Sequence, residues 1–169
     1  MSRLFIVGGR SRANVKASEW SGFERAVVLA LDTETGKAET CLDVISPPEA
    51  CPDNEPSILF KAGTFTGDRL WLCTQTEVMA YSVPDFRRTH YVSLPCFNDI
   101  HHVTPSARGT ILVAVTGLDM VVEMTDNGEV LREWDVMGDP LWTRFSRDID
   151  YRKLPQPSPI SPTRISSSH

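Results

Sequence analysis

No stretch of this chain approaches the roughly 20 consecutive apolar residues of a membrane-spanning helix. Near its N-terminus only residues 4–7 are apolar in a row, too few for the core of a secretion signal. Clusters of Lys and Arg are missing as well. The nearest is the pair Arg87-Arg88, and the net charge is −5 with a pI of about 5.3. Such a chain is poorly suited to displacing counterions from nucleic acid. Cysteine is scarce: Cys41, Cys51, Cys73 and Cys96 are separated by 10, 22 and 23 residues, which fits neither a zinc site nor a redox CxxC. Cys73 lies in an apolar run and reads as a small core residue; the four are expected as buried free thiols. Gly8-Gly9-Arg10-Ser11 lacks the Lys-Ser/Thr ending of a phosphate loop. No serine sits in a G-x-S-x-G elbow, and no nucleophile–base pair can be assigned from spacing. These absences point to a cytoplasmic protein that engages neither membrane nor nucleic acid.

What is present is one domain's worth of core: 169 residues, 41% apolar and 23% charged. The chain also matches itself at a shift of 41 residues. Residues 67–84, GDRLWLCTQTEVMAYSVP, fall without a gap on residues 108–125, RGTILVAVTGLDMVVEMT. Identity is low, and the match lies in the placing of apolar runs and turns. Short-stranded repeats with a period of about 40 residues are the pattern of stacked four-stranded sheets.

A hairpin recurs three times. The run 26–31 (AVVLAL) leads through Asp-Thr-Glu-Thr-Gly into 37–44. The run EVMAYSV turns at Pro84-Asp85-Phe86 into RRTHYVSL, and DMVVEMT turns at Asp126-Asn127-Gly128 into EVLREWDV. Asn and Gly both tolerate left-handed backbone, so the last turn is a specific hairpin signal. A strand precedes each hairpin, at 3–8, 69–74 and 110–115, apolar on both faces as for strands sandwiched between sheets. Carrying the shift backwards adds a further, innermost strand at 57–61 and at 98–102. The first unit lacks that strand, and a loop at 10–25 holds Trp20 and Phe23, expected to pack over the sheet. The regular pattern stops after Met137. Residues 138–153 read as an irregular capping segment, and residues 154–169, with four prolines and five serines, as a disordered tail.

The arrangement resembles a β-propeller, most nearly the six-bladed group that includes NHL repeats and the gluconolactonase- and regucalcin-like proteins. Residues 97–105 with Asn98-Asp99, the run from Gly109 to Thr116, and Asp126-Asn127-Gly128 carry the resemblance. It implies an all-β partial propeller of about three four-stranded antiparallel blades: 1–45 (partial), 57–95 and 98–137, together spanning 1–137. Rings need about four to eight blades. The Pro/Ser-rich ending is unlike blade sequence, and we expect that the reading frame left its ancestral course near Leu154, making a truncated propeller.

Chemistry is concentrated on the innermost strand of the last blade, where Asn98, Asp99, His101 and His102 stand within five residues. Oxygen donors suit calcium or magnesium, and imidazoles suit zinc or another transition metal. On a plain strand Asp99 and His101 would face one way and His102 the other. The bland alternative is a turn capped by Asn98 and Asp99 with one His as an ordinary inner-strand residue. The family resemblance implies Asn98 or Asp99 as metal ligand, together with an acid from the first blade's inner strand, which this chain lacks. A second acidic stretch, 51–56, reads as a solvated turn. The leading functional expectation is a non-catalytic binding or interaction module. It would contact a protein partner, or copies of itself, through exposed blade faces or use the channel mouth. The alternative is a metal-dependent hydrolase or isomerase of a small sugar or lactone around Asn98 and His101. No cofactor is assigned beyond a candidate divalent cation.

Overall fold

The computed structural model describes residues 3–13, 22–51 and 57–135. Within them lie eleven strands, two short 3-10 turns and no α-helix. The first sheet holds β1 (Arg3–Ser11), β2 (Phe23–Asp32) and β3 (Ala38–Val44). The second holds β4 (Ala62–Thr66), β5 (Arg69–Cys73), β6 (Val78–Ser82) and β7 (Arg88–Val92). The third holds β8 (Ile100–Pro105), β9 (Ile111–Val115), β10 (Met120–Met124) and β11 (Val130–Asp135). In each sheet the strands lie in chain order and every pair is antiparallel. The fold is all-β, and successive meanders stack in the manner of propeller blades. The innermost strands of neighbouring sheets adjoin, β4 beside β8 and β1 beside β4.

Turn chemistry explains the meanders. Gly36 (φ 70°) closes the first outer hairpin and Gly128 (φ 84°) the third. The second has Phe86 in that left-handed position (φ 49°), an unfavourable place for an aromatic residue. Its ring packs edge-on against Phe5 of the first sheet, 5.7 Å between centroids, so the contact between sheets offsets local strain. In the third hairpin Gly128 alone is left-handed, and the turn falls at Asp126-Asn127-Gly128 as expected, a three-residue loop closed by Thr125 N–H to Glu129 O, 2.9 Å. The outer pair of each sheet carries a register shift, a bulge that bends and twists the outer strand.

Two apolar seams hold the stack. Between the first and second sheets, Ala26 and Val28 meet Leu70, Leu72, Met79 and Tyr81. Between the second and third, Trp71, Cys73, Val78 and Ala80 meet Ile111, Val113, Met120 and Val122. The middle sheet is thus buried on both faces. For the other two sheets the expectation of two buried faces does not hold: β1 is half-buried or exposed along its length, and β9 alternates between buried and half-buried residues.

The innermost strands sit later than the repeat implied. Residues 57–61 are not strand, because Ile58 and Phe60 plug the first seam while their amides reach Phe23 O and Gly8 O of the first sheet. The strand itself is the modest Ala-Gly-Thr-Phe-Thr of β4. Likewise Asn98 and Asp99 form a bend ahead of β8. Phe23 packs as expected, its ring against Gly9; a Cβ there would come within 2.8 Å of it and 2.7 Å of the Leu59 Cβ. Trp20, residues 52–56 of the acidic stretch, the capping segment 138–153 and the tail 154–169 lie outside the described residues.

Leu72→Ala should lower the unfolding free energy by about 2–4 kcal/mol, measured by denaturant titration, since Leu72 is fully buried. Gly9→Val should cost about 1–3 kcal/mol by overpacking against Phe23 and Leu59; an unchanged midpoint would contradict the close approach at Gly9.

Candidate functional site

Lys61 enters β4 at the end of the second sheet where β8 begins in the third. Its side chain is only 4% exposed, and its ammonium pairs with Asp99 Oδ1; the Asp99 side chain is 10% exposed. Asp99 is held by a left-handed backbone (φ 54°), by its carbonyl accepting from Thr116 N–H at 3.1 Å, and by Ile100 N–H donating to Gln75 O of the second sheet at 3.0 Å. The neighbouring Asn98 carbonyl accepts from Gly117 N–H at 3.0 Å. Gly117 is required by this approach, since a Cβ there would meet Asn98 Oδ1 at 2.6 Å.

His101 completes the cluster. Its Nε2 stands 3.1 Å from Lys61 Nζ and 3.3 Å from Asp99 Oδ2, with the imidazole 45% exposed. A neutral ring satisfies one of these contacts at a time: a bare Nε2 accepts from the ammonium, and a protonated Nε2 donates to the carboxylate. A register shift between Ile100 and His102 breaks the simple alternation of β8. Ile100 is buried and both histidines are exposed, with His102 Nε2 3.4 Å from Thr64 Oγ1 of β4. The structure thus brings together Asp99, His101 and a lysine from the neighbouring sheet, with His102 at the same strand pair. Among the described residues no three His, Cys, Asp or Glu side chains group as a metal site.

A second polar centre lies where the second sheet meets the chain leaving β3. Glu77, at the turn into β6, is fully buried. Tyr91 Oη donates to its Oε1 at 2.7 Å, Thr74 Oγ1 donates to Oε2 at 2.8 Å, and Ser46 Oγ also donates to Oε2. Burial raises its pKa above the ordinary carboxyl value, more than these hydrogen bonds lower it. The Tyr91 phenol is raised too, by burial and by Glu77. At the opposite end of β4 and β8 a cleft of about 380 Å³ opens between the second and third sheets. It is lined by Asp68, Arg69, Trp71, His90, Thr110 and Asp126, among others. Trp71 and His90 lie with ring centroids 5.2 Å apart, and burial, then Arg69, lowers the His90 pKa.

No family model matches this chain. No curated protein matches it either. Among solved structures, a streptogramin B lyase is similar at 14% identity with a TM-score of 0.46; the match covers 82% of this chain and 46% of that one. The chain therefore spans less than half the length of that protein.

The cysteines are free. Cys73 is buried, which pushes its thiol up to about 12, and burial pushes Cys96 up to about 11; neither is poised for thiolate chemistry. Cys41, Cys51 and Cys96 are half-buried rather than buried. Two residues escaped the sequence reading. Lys61 stood in the repeat at the position of His102, a substitution of cation for imidazole that marked both as facing something polar. Glu77 was the lone acid inside an apolar run, QTEVMAY.

Lys61→Met should cost about 3–5 kcal/mol by leaving the buried Asp99 without its cation, and Lys61→Met/Asp99→Asn should recover most of it, since Asn tolerates the left-handed backbone at this position; equal losses in the two variants would contradict the pairing. Glu77 bears on pH. Its native pKa lies above the unfolded value, near 4.5. Its contribution to stability is full below that pH and is lost as pH rises through the native value. Glu77→Gln should gain on the parent protein as pH rises above about 4.5 in parallel unfolding titrations, because the parent alone loses stability there.

Proposed function

We propose that this chain is a binding module of the propeller type, and that it takes a small, hydroxyl-rich ligand such as a sugar at the Lys61–Asp99–His101 cluster. The observation that carries this reading is the pairing of Lys61 with Asp99 and His101 across two neighbouring sheets. An ammonium, a carboxylate and two exposed imidazoles offer donors and acceptors side by side, which suits alcohol groups better than a lone cation or anion. Asp99 spends an oxygen on Lys61, so a divalent ion at Asn98 and Asp99 would have to displace an ammonium. That competition supports the binding reading over a metal-dependent one. The kinship we propose within the propeller-like class is with the six-bladed NHL and gluconolactonase-like group. In such a ring these three sheets would form a contiguous sector. Free thiols suit a reducing, cytoplasmic setting.

One contact favours a second reading. His101 Nε2 facing Asp99 Oδ2 at 3.3 Å is an imidazole–carboxylate pair able to move a proton, as a hydrolase or isomerase of a sugar or lactone would require. Calorimetric titration with a panel of methyl glycosides, together with metal analysis, separates the two. The binding reading expects a metal-free protein, with affinity for one glycoside falling at least tenfold in His101→Ala. A stoichiometric divalent ion that is lost in Asp99→Asn would overturn it in favour of the metal-dependent enzyme.

A further inference from the structure

The stacking of the sheets, independently of any ligand, says what should lie against the two ends of the stack. On β1, Phe5 and Val7 pack into the first seam, so Leu4 and Ile6 face away; they are 52% and 44% exposed. Leu31 and Leu29 stand opposite them on β2 and are half-buried. This face is an apolar stripe, ending at Arg10 and Arg25, which both pair with Asp43. At the other end, Ile111, Val113, Met120 and Val122 pack into the second seam, so Leu112, Ala114 and Val121 face away. Val121 stands opposite Ala114 and Trp134, and Trp134 is 40% exposed.

The middle sheet shows what each face is built to meet. At the 41-residue shift, Leu112, Ala114 and Val121 correspond to Trp71, Cys73 and Ala80, which in the middle sheet are covered by the next sheet. Leu4 and Ile6 occupy on β1 the face that Leu70 and Leu72 occupy on β5, and those are covered by the preceding sheet. The far side of the third sheet is therefore shaped to receive a following sheet, and the far side of the first to follow a preceding one. A second copy of this chain supplies both. We propose that two copies associate head to tail, the first sheet of each seated on the third sheet of the other. The joint repeats the internal seams in kind. It is heterologous and is formed twice, and the six sheets so assembled fall within the about four to eight that close a ring.

Light scattering coupled to size exclusion on the full chain tests this. The parent protein should run as a dimer. Leu4→Glu/Ile6→Glu and Val121→Glu each place charge on an outer face and leave both seams intact, so each alone should be monomeric with unchanged β circular dichroism. Their equimolar mixture should form a heterodimer weaker than the parent dimer, because the sound first sheet of one variant meets the sound third sheet of the other at one joint while the second joint, with glutamates on both sides, stays open. Ile6→Ser, a milder change, should weaken dimerisation at least tenfold. A monomeric parent protein, in which other residues cover these faces, would overturn the proposal. So would a Val121→Glu variant that dimerises alone, the mark of first sheet on first sheet, or a mixture that stays monomeric.

Discussion

Two-sided burial of the middle sheet is the constraint on which the rest of this structure depends. β5 and β6 send Leu70, Leu72, Met79 and Tyr81 to one side and Trp71, Cys73, Val78 and Ala80 to the other. A sheet with apolar residues on both faces must be covered twice, and the neighbouring meanders are the covers. Stacking in turn aligns their innermost strands. Because β4 and β8 lie side by side, Lys61 from one sheet reaches Asp99 from the next. The polar cluster is thus a consequence of the apolar seams.

Of the three buried acids among the described residues, Asp99, Glu77 and Glu123, the first two meet the cost of burial in different ways. Asp99 is compensated by charge, through Lys61, with the imidazole of His101 beside both. Glu77 has three hydroxyl donors, which satisfy its oxygens yet do not offset the loss of solvent, so its pKa is raised. Glu77 links the chain leaving the first sheet to the second through Ser46, which gives it a part in holding sheets together. Asp99 borders exposed histidines and is the better placed for a ligand.

Much of the fold was legible in advance. The recurrence of apolar runs at 41 residues located β5, β6, β9 and β10, and turn residues located the three outer hairpins, because both are local properties of the chain. The innermost strands were misplaced by a few residues. Ile58 and Phe60 alternate as a strand would, and nothing local reveals that their amides serve the first sheet. Of the site, Asp99 and His101 were legible as a concentration of polar residues on a strand otherwise apolar in the repeat. Lys61 was not, since its partner lies 38 residues away. The bulge that exposes both histidines was equally hidden, because it depends on how β8 pairs with β9.

By itself, then, the order of residues determined the central and outer strands, their hairpins and their recurrence as three meanders: each follows from apolar patterning and from residues that accept left-handed backbone. The third dimension alone decided which faces are covered, that Lys61 meets Asp99, and that Glu77 is buried among hydroxyls. Those outcomes depend on contacts between sheets, and distance along the chain carries no record of them.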